Sequence, residues 1–284
     1  MKIIHISDLH FPVKLPLLEL RGKMIAGYLN YRLRRFKKHP ASLIDAMIRF
    51  IQKQEYDVLV ISGDLTNVSH EEEFARARDI LAPVLDERCF IIPGNHDRYH
   101  KQAMNPDLFE KYFGEFTGEN VLLSGYLRTK KIGSARFIGW DSSEPRTLFD
   151  AYGEISAEIL DETMNLVKKS EFHDYFLVCH HPLWNPECCQ ESNHHMLHER
   201  EMIVERLSEN PPVMVMHGHS HLNWIKKRSE EIPFTIVNSA ASTRLSDGCG
   251  FHVIETAKNS EIVKRYTYQP GLNEFKESDL IEYE

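Results

Sequence analysis

The feature that most constrains this chain is a set of short apolar runs that stop at residues costly to bury. "KIIHI" (2–6) is followed by Asp8 and His10, "DVLVI" (57–61) by Asp64, and "CFIIP" (89–93) by Asn95, His96 and Asp97. "YFLVC" (175–179) is followed by His180 and His181, and "PVMVM" (212–216) by His217, His219 and His221. Runs of this length, rich in Val, Ile and Phe, read as strands buried on both faces. A lone polar residue at a strand end is ordinarily a packed structural one, but the same ending on five strands calls for a common cause. In α/β sheets the loops at the carboxyl ends of strands converge in space, so these clusters are expected to form one site.

Helical patterns lie between several of the runs. Residues 41–54 place Leu43, Ala46, Met47, Phe50 and Ile51 on one face, with Pro40 suited to the first turn. Ser69 with Glu72 predicts a capping box opening a helix over 69–85, and Ser156 predicts the cap of a helix over 156–168. Further apolar runs, "RFIGW" (136–140) and "FTIVN" (234–238), read as strands, and residues 250–269 read as two strands about a Lys258-Asn259-Ser260 turn. Strands alternating with helices predict an α/β architecture with a mixed sheet. No repeat, linker or composition break divides the chain, so residues 1–284 are expected to form a single domain.

Two segments stand outside that alternation. Residues 183–200 form a polar insertion long enough to act as a lid or rim. Residues 17–38 carry Leu17, Leu20, Met24, Tyr28, Leu29 and Phe36 at roughly helical spacing, together with Arg21, Lys23, Arg32, Arg34, Arg35, Lys37 and Lys38. This segment is either a surface helix covering the sheet or a basic amphipathic helix that meets an anionic membrane or substrate.

Composition excludes some classes. The 284 residues carry a net charge of −8, so no global field recruits nucleic acid, and no duplex partner is expected. The five cysteines (89, 179, 188, 189 and 249) show no C-x-x-C spacing and read as reduced thiols in a cytoplasmic protein, with adjacent Cys188 and Cys189 a chance pair. No secretory leader is expected, because Met1 runs almost directly into a strand, and no apolar run approaches the roughly 20 residues that span a bilayer.

Residues two apart on extended backbone point the same way, so Asp8 with His10, and His219 with His221, are each expected to present a pair to one spot. Carboxylate, imidazole and amide oxygen suit divalent or trivalent first-row metals, and the absence of cysteine disfavours a structural zinc site.

The ordered motifs D-x-H (8–10), GD (63–64), GNHD (94–97), HHP (180–182) and GHxH (218–221) resemble the calcineurin-like metallophosphoesterase superfamily. "GDLTN", "GNHD" and "HHP" are similar to the class III cyclic-nucleotide phosphodiesterase branch more than to purple acid phosphatases, whose metal-binding tyrosine has no counterpart beside Asp64. The resemblance implies a four-layer α/β/β/α sandwich, two mixed sheets packed face to face with flanking helices. It implies one metal on Asp8, His10 and His221, a second on Asn95, His180 and His219, and Asp64 bridging them. Manganese or iron is expected first, with zinc or cobalt possible. His96 would stabilise the phosphoryl group or protonate the leaving oxygen, with Asp97 orienting its far nitrogen. His181 and His217 would either orient ligands or simply pack; Arg98 is a lesser candidate for a phosphate contact. Asn67 is expected to tie down its own loop rather than bind metal, and His194, His195 and His198 to form a solvated loop or helix face rather than touch substrate.

The expected function is hydrolysis of a small phosphodiester or cyclic nucleotide. One alternative is a membrane-associated hydrolase that cleaves the pyrophosphate of UDP-diacylglucosamine in lipid A synthesis, peripheral to the inner membrane through 17–38. Another is a catalytically silent scaffold on the same fold.

Overall fold

The computed structural model describes residues 1–35, 38–122, 125–169, 174–245, 249–257 and 260–283, with the side chains of 34 and 35 outside that description. Three strands run parallel side by side: β1 (Lys2–Ile6), β2 (Val58–Ile61) and β3 (Cys89–Ile91). The other strands, in chain order, are β4 (Glu119–Asn120), β5 (Leu127–Ile132), β6 (Ala135–Trp140), β7 (Tyr175–Cys179), β8 (Met214–His217), β9 (Trp224–Lys226) and β10 (Thr235–Asn238). They are followed by β11 (Gly250–Ala257), β12 (Ser260–Gln269), β13 (Glu274–Ser278) and β14 (Glu282–Tyr283). One sheet has the order β13-β12-β11-β1-β2-β3, and the other β14-β9-β10-β8-β7-β6-β5-β4. Both are mixed: β6, β7, β8 and β10 are parallel neighbours, whereas β11 lies antiparallel to β1.

Strand periodicity sorts the core into layers. On β2, Val58 and Val60 face the second sheet while Leu59 and Ile61 face outward, and on β7 Phe176 and Val178 face inward while Leu177 and Cys179 face out. Between the sheets Phe90 packs tilted on Phe137, which stacks on Phe176, with ring centroids 5.8 and 5.0 Å apart. Helices α2 (Ala41–Lys53), α3 (Glu71–Leu81) and α4 (Leu108–Phe113) contribute to the outer core of the first sheet. Helices α5 (Ala157–Lys169) and α6 (Arg200–Ser208) cover the second. The result is the expected four-layer α/β/β/α sandwich.

Local departures from the sequence reading have clear causes. The α3 cap sits one residue later than expected: His70 accepts from the Glu72 amide, and the buried Glu73 carboxylate takes the amides of Asn67, Val68 and His70. Ser69, at φ 57°, instead accepts from Tyr99 N and donates to His96 O. Ser156 caps α5 as expected, accepting from Ile159 N. The Lys258-Asn259 part of the β11–β12 turn lies outside the described residues.

The 17–38 segment is helical only from α1 (Lys23–Asn30), extended by a wider π-type turn over Tyr31–Arg35. Its apolar residues do not form one buried stripe. Leu20, Met24, Tyr28 and Tyr31 pack with Leu15 and Val68, whereas Leu17 and Leu29 are exposed; Phe36 lies outside the described residues. No described helix is long and apolar enough to cross a membrane.

A polar staple joins the sheets where the apolar layer ends. Ser239, just after β10, donates to His5 O and lies 3.1 Å from His5 Nδ1 and 3.0 Å from His252 Nδ1. Burial, with the Arg265 charge, pushes the His252 imidazole down to about 3. Between that value and about 6.5 only the unfolded chain binds this proton, so the stability is complete above about pH 6.5 and falls as pH drops. Denaturant unfolding should lose about 1.4 kcal/mol per pH unit less in His252→Asn than in the native chain over this window. An unchanged slope would show that His252 carries no such shift.

Candidate metal centre

Each cluster marked by the sequence sits on a loop leaving the carboxyl end of a parallel strand: β1, β2 and β3 of one sheet, β7 and β8 of the other. The pairs are not presented by extended backbone. Asp8, His10, Asp64, His219 and His221 all adopt left-handed conformations, with φ between 41° and 65°. Asp and His tolerate this region better than most residues, yet each such position costs on the order of 1–3 kcal/mol. Close loop approach is also required. A Cβ on Gly94 would strike Asp64 Oδ1, and one on Gly218 would strike Ser7 Oγ.

The two aspartates each commit one oxygen to the scaffold and turn the other inward. Asp8 Oδ2 accepts from His219 N, while its Oδ1 is buried without a hydrogen bond. Asp64 Oδ1 accepts from His96 N, while Oδ2 lies 3.6 Å from His10 Nε2 and 3.4 Å from His180 Nε2. The imidazoles do the same. His10 Nδ1 donates to Thr66 O and His180 Nδ1 to Ser62 O, which leaves each Nε2 as an inward lone pair in the neutral ring. His219 Nε2 donates to His195 O, so its Nδ1 faces Asn95 Oδ1 at 3.0 Å; His180 Nε2 faces the same oxygen at 3.1 Å.

Donor atoms of Asp8, His10, Asp64 and His221 all fall within 4.8 Å of one another, a group able to hold a metal ion. Asn95, His180 and His219 make a second convergence, with Asp64 Oδ2 between the two. Carboxylate and amide oxygens and imidazole nitrogens converging on two adjacent spots fit cations. Burial works to raise the Asp64 carboxyl, but His180, His96 and His10 hold it well below the usual carboxylate range. Burial opposes protonation of His180, yet the Asp64 charge carries it up to about 10, so the field favours a positive charge here. His221 differs. Arg244 Nη1 donates to its Nδ1, so the neutral ring carries its proton on Nε2, 3.2 Å from Asp8 Oδ1; ligation through Nε2 requires Arg244 to release Nδ1.

The surroundings revise several expectations. Asp97 does not orient His96. Its oxygens accept the amides of Leu65, Thr66 and Gly94 and the Thr66 hydroxyl, clamping the Asp64 loop to the Asn95 loop. His96 Nδ1 is held instead by Asn67 O at 2.6 Å, while Asn67 Nδ2 donates to Phe11 O, so the loop residue also aims the imidazole. Arg98 is not available to a phosphate: it is buried, 2.7 Å from both Asp107 Oδ1 and Asp141 Oδ2. His181 bridges Ser142 Oγ and Ala151 O, and His217 bridges Cys179 O and Leu183 N, so both anchor neighbouring loops. Burial pushes each of these two down to about 3, which keeps them neutral.

The 183–200 insertion reaches the centre. His195 supplies the carbonyl that fixes the His219 tautomer, and Glu191 Oε1 lies 3.6 Å from His219 Nε2. His194 is exposed and paired with Asp150, and His198 stacks on Tyr152. Arg244 and Glu191 carried no sequence signal, since neither follows an apolar strand.

If the cluster binds cations, Mn²⁺ at a hundredfold over its dissociation constant stabilises chelator-treated protein by about 2.7 kcal/mol, a melting shift on the order of 5–10 °C. Asp64→Ala and Gly94→Ala should each lose most of that shift. A full shift in Asp64→Ala would place the cation elsewhere.

The family model described as Calcineurin-like phosphoesterase matches residues 1–223. No curated protein matches the chain. Among solved structures, a dimetal phosphatase from Danio rerio is similar at a TM-score of 0.67 and 14% identity, over 93% of this chain and 95% of that one. A purple acid phosphatase from yellow lupin (Lupinus luteus) seeds is similar at 0.62 and 10%, over 94% of this chain and 51% of that one. At such identities the likeness is one of fold, and it does not select the cyclic-nucleotide branch. The family match spans most of the chain and includes every loop of the centre, so this protein belongs to the calcineurin-like phosphoesterase family, whose members are metal-dependent phosphoester hydrolases.

Proposed function

We propose that the protein hydrolyses small phosphodiesters, cyclic nucleotides among them. Asp8, His10 and His221 would hold one cation, Asn95, His180 and His219 a second, and Asp64 would serve both. The observation that carries this reading is the place of Asp64 Oδ2, 3.6 Å from His10 Nε2 and 3.4 Å from His180 Nε2. Oxygen and nitrogen donors of this kind suit manganese or iron, and accept zinc or cobalt. When bound, such cations acidify solvent water and neutralise charge developing on the phosphoryl oxygens.

The chain's own residues supply the rest. Asn67 O holds the Nδ1 proton of His96, and the ring lines the cavities beside Asp64 and Asn95. From there Nε2 of the imidazolium gives its proton to the departing ester oxygen, a role worth about 10²–10⁴ in rate. The Asp97 clamp keeps the Asp64 and Asn95 loops in register during turnover.

Two cavities meet at Asn95, His96, Ala151 and His195, which favours a diester, with one substituent in each. One, about 430 Å³, includes Glu191, His219 and His221; the other, about 220 Å³, includes Lys23, Tyr99 and Arg146. The complete donor set disfavours a silent scaffold. The described strands β9 to β14 complete both sheets, which supports reading 1–284 as one catalytic unit. The five unbridged cysteines accord with a cytoplasmic location.

A second reading, cleavage of the pyrophosphate of UDP-diacylglucosamine at a membrane face, draws on the exposed apolar side chains of residues 17–33. A substrate panel with Mn²⁺ separates the two. Bis(p-nitrophenyl) phosphate and cyclic nucleotides should be hydrolysed, with kcat falling about 10²–10⁴-fold in His96→Ala. Turnover unaffected in both His96→Ala and Asn95→Ala would overturn the assignment of roles, and turnover of the UDP-lipid alone would establish the second reading.

A further inference from the structure

We infer that residues 17–33 form a docking surface for an anionic lipid bilayer, whichever phosphoester the site cleaves. Leu17, Leu18, Ile25, Leu29 and Leu33 are all exposed, Leu18 at 99% and Leu33 at 84%. Scattered single apolar residues are normal on a protein surface, but five large ones within 17 residues are not. Ile25, Leu29 and Leu33 are spaced by four, so they follow one side of the helix and its continuation.

The segment is held firmly while it exposes that side. Met24, Tyr28 and Tyr31 pack with Leu15, Leu20 and Val68, and Tyr28 Oη accepts from Leu15 N. Gly27 lets the helix close on Tyr99, whose hydroxyl would lie 2.5 Å from any Cβ there. No internal rearrangement is needed to free the outward leucines.

Charge identifies the occupant. Residues 14–38 carry eight basic side chains and one acidic one, Glu19, a surplus of +7 in a chain of net −8, so the remainder carries −15. Lys14, Arg21 and Lys38 are exposed. Apolar side chains entering the acyl boundary among basic groups that meet lipid phosphates make a matched pair of attractions. A second copy of this chain would set +7 against +7 and is disfavoured. The helix also brings Lys23 and Gly27 to the cavity beside His96, so docking would leave that cavity within about one helix diameter, 10 Å, of the headgroups.

Flotation of the full chain with vesicles tests this. Vesicles of phosphatidylcholine with about a third phosphatidylglycerol should carry the protein at low salt, and pure phosphatidylcholine should not. Binding should weaken about tenfold or more on raising salt to about 0.5 M, in Arg21→Glu with Lys38→Glu, and in Leu18→Asp with Leu33→Asp. Both double variants should keep the native melting temperature and hydrolysis of bis(p-nitrophenyl) phosphate. No flotation of the native chain with anionic vesicles, or flotation indifferent to the leucine changes, would overturn the inference. A dimer that the leucine changes dissociate would assign the surface to a second copy and overturn it equally.

Discussion

The structure depends on a buried carboxylate that has no place in a dry core without positive charge beside it. Asp64 keeps one oxygen on the His96 amide and sets the other between the inward nitrogens of His10 and His180. Coulombic attraction in a poorly solvated site holds it ionised against the desolvation that would protonate it. That one group ties together loops from four strands and two sheets, which no apolar contact could arrange with the same directionality.

The sandwich exists to make such an arrangement possible. Parallel strands deliver their loops to one edge, and the layer of Phe90, Phe137 and Phe176 fixes one sheet against the other. At that edge the chain accepts five left-handed non-glycine residues and glycines packed too closely for a Cβ. Backbone strain of this kind persists only where the surroundings over-determine it. Here the overdetermination comes from Asp97, which binds three amides of two loops, and from His181 and His217, which anchor the neighbouring ones. Neutral imidazoles serve as anchors because burial denies them protons.

The 17–33 and 183–200 segments both approach the same centre from outside the sheets. The first contributes Lys23 to the cavity wall beside His96, and the second contributes the His195 carbonyl that fixes the tautomer of His219. The shared fold thus supplies the clustered donors, while these less regular segments shape what surrounds them. Loops carried on a rigid scaffold in this way can vary in sequence without moving a strand.

The sequence by itself determined the strands that build the interior, because residues buried on both faces must be apolar in succession, as in β1, β2 and β7. It determined which residues were available at their ends, since Asp and His after such runs have few other reasons to be there. Edge strands such as β4 and β14 were not legible, because a strand with a solvated side can be written in many polar residues. Only the tertiary structure decided that Asp97 clamps loops while Asn67 O aims His96, and that Arg98 is spent on Asp107 and Asp141. It alone decided that Leu29 faces solvent while Tyr28 beside it is buried. The physical reason is common to all of these. A residue's type fixes what bonds it can make, but which partner lies within 3 Å depends on loops that meet only after both sheets have formed.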